Sequence, residues 1–219
     1  MVGDAGERYA VLLPVKPPGR GKTRLGDLPR GSLASAFALD VATACLASTY
    51  VAQVLVVTDD AAFAAALAQL GCSAIPDGVS GNLNASLALA AVEASRRWPD
   101  LVPVAICADL PCLTAPDLDG ALGQWPGRPR YVADVEGVGT TLYTAPVEEF
   151  APRFGPRSAD LHAADGARPI DGALAGLRRD VDDPEDLADA TRLGLGVHTA
   201  AVVAELQQEL GMRERHDMG

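Results

Sequence analysis

Lysine is nearly absent from this 219-residue chain: of its 18 basic residues, only Lys16 and Lys22 are not arginine. Positive charge is scarce altogether, since 29 acidic residues leave a formal net charge of −11. That deficit excludes an extended nucleic-acid surface, which needs a run of cations to neutralise phosphates. A small anionic ligand in one local basic pocket remains compatible with it. Long hydrophobic runs are missing too. No window reaches the ~18 uninterrupted apolar residues of a membrane span, and the stretch Met1 to Arg8 has no apolar segment of signal-peptide type. The expectation is a cytoplasmic protein without a membrane partner. Cysteine is limited to Cys45, Cys72, Cys107 and Cys112. Cys107 and Cys112 flank an acidic motif, but no histidine or further pair completes a zinc set, so reduced structural thiols are expected. The three histidines, His162, His198 and His216, form no recognisable set. No Ser–His–Asp or Cys–His nucleophile is evident.

What is present is apolar residue in quantity, 48% of the chain, enough to bury a core without disulfide or metal staples. The length fits one large α/β domain. Ala10–Val15, Val54–Thr58 and Val102–Ala108 are continuous apolar runs, as parallel strands covered on both faces require. Between them, Ser32–Tyr50, Asp60–Leu70 and Leu83–Trp98 have helical composition and length. Gly71 stands where a helix C-cap is wanted, and a short strand is expected at Cys72–Ile75. The alternation predicts an α/β fold with a mostly parallel, doubly wound sheet flanked by helices. After Pro126 the pattern changes. Arg130–Val135 and Thr140–Thr144 read as two strands joined by the turn Glu136-Gly-Val-Gly139, forming a small β-hairpin region. Pro152 to Gly172 reads as irregular, and Gly176–Val181 as a last strand. A helix at Pro184–Leu193 follows, started by Asp183 and acidic neighbours. Residues 197–211 read as a C-terminal helix, with 212–219 frayed.

In a doubly wound sheet, ligands sit beyond the carboxyl ends of the strands. Both lysines fall in such a place, in the loop Lys16-Pro-Pro-Gly-Arg-Gly-Lys22-Thr-Arg24-Leu25 after the first strand. Cationic side chains and backbone N–H groups in a glycine-broken loop suit phosphates. It is not a Walker loop, because the glycine required five positions before Gly21 is replaced by Lys16. Asp109 follows the strand at 102–108, where a carboxylate is costly unless solvated, capping a helix or bound to a cation. Hard divalent ions such as Mg²⁺ choose such oxygen ligands. A second acidic group, Asp180-Val-Asp182-Asp183-Pro184, ends the last expected strand, and in extended geometry Asp180 and Asp182 share a face. Asp183 is better explained as a helix cap, and so is Asp60. Asn84, entering the third helix, either caps that helix or donates to a base or ribose; its type and position leave both open.

Together these stretches resemble the guanylyltransferases of coenzyme F420 biosynthesis, within the GT-A, Rossmann-like nucleotidyltransferases. The resemblance covers residues ~10–195 in order: Val15-Lys16 with Gly21-Lys22-Thr23-Arg24-Leu25, Leu83-Asn84-Ala85, Ala108-Asp109-Leu110-Pro111, Gly139-Thr140, Arg153-Phe154-Gly155-Pro156-Arg157-Ser158, and Asp180-Val181-Asp182-Asp183-Pro184-Glu185-Asp186-Leu187. It implies transfer of GMP from GTP to phosphoenolpyruvate or 2-phospho-L-lactate, and in some relatives 3-phospho-D-glycerate. Lys16, Lys22 and Arg24 would hold the triphosphate and Asn84 would read the nucleoside. Asp109, Asp180 and Asp182 would bind Mg²⁺. Thr140, Gly155 and Ser158 would receive the acceptor, with Arg153 and Arg157 as nearby cations. One domain would then run over 1–219: a nucleotide half at 1–125, an acceptor half at 126–195, and a C-terminal helix and tail. The family's acidic motif often begins with Gly where this chain has Ala108, and Pro17-Pro18-Gly19 replaces commoner alanines. An Ala/Arg-rich composition fits a high-GC bacterial source, for which phosphoenolpyruvate is the first acceptor to test. Rival readings are a nucleotidyltransferase acting on a sugar phosphate, a molybdopterin or a methylerythritol phosphate, and a non-catalytic nucleotide-binding regulator.

Overall fold

A strand with no polar side must be covered on both faces, and Tyr9–Pro14 (β1) is: Tyr9 to Leu13 are fully buried in the computed structural model, which describes residues 6–15, 28–79 and 81–217. Its side chains alternate between two cores. Tyr9, Val11 and Leu13 point to one face, where Ala38, Val41 and Cys45 of the helix Arg30–Ala47 (α1) cover them. Ala10 and Leu12 point to the other, onto Leu87, Ala90 and Ala94 of Leu83–Arg97 (α3). Each such leucine contributes on the order of 2 kcal/mol by burial. The alanines keep the helices close to the sheet.

Val51–Val57 (β2) and Ser73–Ile75 (β3) pair in parallel outward from β1 on one side, with Ala61–Gln69 (α2) between them in sequence. Val102–Ile106 (β4) pairs in parallel on the other side. Beyond β4 the direction reverses. After Ala115–Leu122 (α4), Arg130–Ala133 (β5) and Thr140–Thr144 (β6) form the expected hairpin, and β6 runs antiparallel to β4. Arg168–Pro169 (β7) closes a seven-stranded sheet ordered β3-β2-β1-β4-β6-β5-β7. The mostly parallel, helix-flanked α/β architecture read from the sequence is therefore present.

Helix starts follow their caps. Asp60 accepts from the Phe63 N–H, Asn82 from the Ala85 N–H, and Asp183 from the N–H groups of Glu185 and Asp186 at the head of Pro184–Leu193 (α7). The four cysteines form no disulfide.

Three expectations change. Gly176–Val181 is not a strand: its first half is a short helix, Ala175–Arg178 (α6), whose Arg178 carbonyl accepts the Val135 N–H at 2.9 Å, and Val181 N–H donates to the Asp109 carbonyl at 3.0 Å, single bonds rather than a ladder. The region 152–172 is less irregular than its Gly/Pro/Arg content predicts, since it holds Ser158–Ala164 (α5) and β7. The last helix, Val197–Asp217 (α8), continues past residue 211. No helix among the described residues is long and apolar enough to cross a membrane.

Candidate active site

Because β1, β2 and β4 are parallel, their carboxyl ends share one edge of the sheet. Antiparallel β6 begins at that edge. Cys107 N–H, just past β4, donates to the Thr141 carbonyl at 2.9 Å, and its Sγ lies 3.5 Å from the Thr140 carbonyl, which sets Thr140 beside the end of β4. The Val181–Asp109 backbone bond brings the Asp180–Asp182 stretch to the same place. Val181 itself is fully buried with Leu33, Phe37, Cys112 and Leu187, which fixes the half-buried carboxylates on either side of it.

Glycine permits this approach. A Cβ on Gly176 would lie 2.0 Å from the Cys112 carbonyl oxygen, so α6 could not pack on the loop after Asp109 with any side chain there.

The acidic cluster carries its own electrostatic signature. Burial pushes the Asp180 carboxyl up to about 7, and the charges of Asp109, Asp134 and Asp182 push the same way, against a backbone hydrogen bond. Four carboxylates are thus within electrostatic reach of one another. Among the described residues no three His, Cys, Asp or Glu side chains converge as a ready-made metal cage. The donor set instead fits an ion held by one or two carboxylates and completed by water and substrate phosphates, which is how Mg²⁺ is commonly bound. A divalent cation there would relieve the crowding that raises Asp180.

Lys16, Lys22 and Arg24 lie outside the described residues. Their flanks are described. Val15, at one end, lines a small cleft of about 110 Å³ with Pro14, Val57, Asp77, Asn82 and Leu83. Leu28, at the other, packs on the cluster that contains Val181. The described residues on either side of the basic segment thus lie at a cleft beyond β1 and β2 and against the cluster that holds Val181.

Asn84 is not presented to that cleft by its amide. Its Nδ2 donates to the Phe154 carbonyl at 2.9 Å and its Oδ1 accepts the Phe154 N–H at 2.8 Å. Capping falls to Asn82 instead, and Asn84 clamps the loop at 153–158 to the start of α3. In that loop Gly155 is exposed, while Ser158 and Thr140 are buried. Arg153 and Arg157 are exposed and paired with Asp165 and Asp160 at 2.7 Å each, so both cations already have acidic partners.

Two neighbours of these residues gave little signal in the sequence. Asp134 folds the hairpin turn, its two oxygens accepting the Val138 and Gly139 N–H groups at 2.9 and 2.7 Å. His162, dismissed by the absence of a histidine set, joins Thr140 to the 153–158 loop: Nδ1 is 3.0 Å from Thr140 Oγ1, and Nε2 accepts the Arg153 N–H at 3.0 Å.

No protein-family model matches the chain. Phosphoenolpyruvate guanylyltransferase from Thermomonospora curvata is 45% identical over 210 residues, 93% of this chain and 92% of that protein. The enzyme of the same name from Geodermatophilus obscurus is 40% identical over 213 residues, covering 93% and 97%. Among solved structures, 4-diphosphocytidyl-2C-methyl-D-erythritol synthase superposes with a TM-score of 0.57 at 12% identity, covering 85% of this chain and 99% of that one. A putative nucleotide-diphospho-sugar transferase from Desulfovibrio desulfuricans gives 0.53 at 17% identity, covering 87% and 78%. At such identities the solved structures bear on the fold alone. The two sequence relatives span nearly the whole chain, and the protein belongs to the phosphoenolpyruvate guanylyltransferase family.

Proposed function

We propose that this protein transfers GMP from GTP to the phosphate of phosphoenolpyruvate and releases pyrophosphate, with Mg²⁺ as its metal, in coenzyme F420 biosynthesis. The observation that carries the reading is that Asp109 and Asp180 lie within electrostatic reach of each other just past β4, at the edge where β6 begins with Thr140 and where β1 ends before the basic loop.

An oxygen of the acceptor phosphate attacks the α-phosphorus of GTP, a new P–O–P link forms, and pyrophosphate departs with the electron pair of the broken bond. No enzyme nucleophile is required, so catalysis reduces to positioning and charge stabilisation. Lys16, Lys22 and Arg24 neutralise the triphosphate and the developing charge on pyrophosphate. Asp109, with Asp180 and Asp182, holds the metal. Mg²⁺, when bound, offsets the repulsion between the two phosphates and stabilises the leaving group. Thr140, Gly155 and Ser158 receive the acceptor's phosphate and carboxylate. A phosphomonoester is largely ionised at neutral pH, its second pKa being about 6, so no general base is needed.

The test is pyrophosphate release from GTP and Mg²⁺ with phosphoenolpyruvate, 2-phospho-L-lactate and 3-phospho-D-glycerate in parallel. Release dependent on phosphoenolpyruvate is expected. Tight GTP binding with no release for any acceptor would defeat the reading in favour of a nucleotide-binding regulator.

A further inference from the structure

We propose that His162 is a positioning residue for the acceptor, setting the donor direction of the Thr140 hydroxyl and the path of the 153–158 loop. The inference rests on the reading above, in which Thr140, Gly155 and Ser158 receive the acceptor.

His162 lies on α5 and is fully buried, so it touches no substrate itself. Its ring is inserted among aromatics. Tyr143 stacks at 4.4 Å between centroids with planes 19° apart, Tyr131 at 5.7 Å and 24°, and Phe154 meets it edge-on at 5.7 Å. Two of these neighbours come from the hairpin strands and the third from the loop that the ring organises.

The hydrogen bonds define the tautomer. Nε2 accepts the Arg153 N–H, so the ring proton resides on Nδ1. Nδ1–H then faces Thr140 Oγ1 at 3.0 Å, leaving the threonine oxygen as an acceptor toward the ring. A hydroxyl has one proton to give. With its lone pair occupied by His162, Thr140 directs that proton away from the ring, where an anionic acceptor oxygen can take it. The ring stays neutral because burial pushes its pKa down to about 4. A protonated ring would lose the lone pair that holds Arg153.

The residue type matches the task. Phenylalanine would fill the stack but make neither bond. Glutamine would offer both a donor and an acceptor but no flat ring. Histidine alone spans the Thr140 and Arg153 groups from opposite ends of one plane. Asn84 braces the same loop from the other side, through Phe154.

The experiment compares His162→Phe, His162→Gln, Thr140→Val and the double variant Thr140→Val/His162→Phe, in pyrophosphate release with GTP, Mg²⁺ and phosphoenolpyruvate. Two lost hydrogen bonds predict a rise in KM for phosphoenolpyruvate of roughly tenfold or more in His162→Phe, with KM for GTP within about twofold of wild type. His162→Gln, which restores a donor and an acceptor, is expected to recover part of that rise and serves alone if the Phe variant does not fold. The double variant should be little worse than Thr140→Val, because both changes act on one hydroxyl. If Thr140→Val leaves the phosphoenolpyruvate KM unchanged, the acceptor-site reading fails. If Thr140→Val raises it while the His162 variants leave it alone, or raise both KM values equally, His162 is only a core residue and the proposal is overturned.

Discussion

At the residue scale, the sequence and the structure disagree most usefully about Asn84. Its type and position left open a cap or a nucleoside contact, and the structure spends both ends of its amide on the backbone of Phe154. Loss of two hydrogen bonds of about 1 kcal/mol each is the scale involved. Asn84→Ala should therefore raise the KM for phosphoenolpyruvate by about tenfold to thirtyfold and leave that for GTP nearly unchanged. The reverse pattern in steady-state kinetics would return Asn84 to the nucleotide. Asp109 makes the opposite kind of test. Its charge is among those that hold Asp180 up, so neutralising it relieves repulsion in the free protein. Asp109→Asn is expected to cut turnover by about 10³-fold or more with no loss in thermal midpoint. Mg²⁺-dependent turnover near the wild-type rate would remove Asp109 from the metal site.

At the element scale, the C-terminal helix depends on one carboxylate of α1. Asp40, nearly buried, accepts the N–H groups of His198 and Thr199 at 2.9 and 2.8 Å and so caps α8 from a neighbouring helix. A Cβ on Gly196 would lie 2.3 Å from that carboxylate carbon, so the approach is as close as glycine allows. Asp40→Ala leaves one buried and one half-buried donor unpaired and should cost about 2 kcal/mol. Urea denaturation measures it, and amide exchange confined to the first turn of α8 localises it. An unchanged midpoint would show that α8 docks without its cap. None of this was legible in the sequence, because the cap and the helix are 158 residues apart. What was legible was local: the apolar runs of β1, β2 and β4, and the caps Asp60 and Asp183, each of which acts within three residues. Gly176–Val181 misled because Leu177 and Val181 are buried by a helical turn and an extended step that only the contact with Cys112 and Asp109 decides. His162 was missed for a related reason: its partners are aromatic rings, one hydroxyl and one backbone N–H, none of them titratable near neutral pH and none near it in sequence.

At the scale of the whole molecule, the reversal at β6 brings Thr140 and the hairpin to the carboxyl edge of the parallel strands. It also ties the acid stability of the fold to His162, which packs against that hairpin. His162 is held at a pKa of about 4 by burial, opposed by the Ser158 carbonyl and the Asp165 charge and assisted by Arg153. In the unfolded chain a histidine titrates near 6.5. The unfolded state therefore binds the additional proton first as pH falls, and the contribution is complete above about 6.5, declines below it and is gone below about 4. The gap corresponds to about 3 kcal/mol. Asp180, raised to about 7, drifts in the opposite sense over an overlapping range, since its folded form takes up the proton first. The raw stability curve thus mixes the two, and the difference between proteins isolates the histidine. In chemical denaturation from pH 7.5 to 4.5 without Mg²⁺, wild type should lose stability relative to His162→Phe by about 2–3 kcal/mol, most of it between pH 6.5 and 4.5. Parallel curves for the two proteins would mean that the ring is hydrated and protonates freely, and its neutral tautomer could then no longer be the device that aims Thr140.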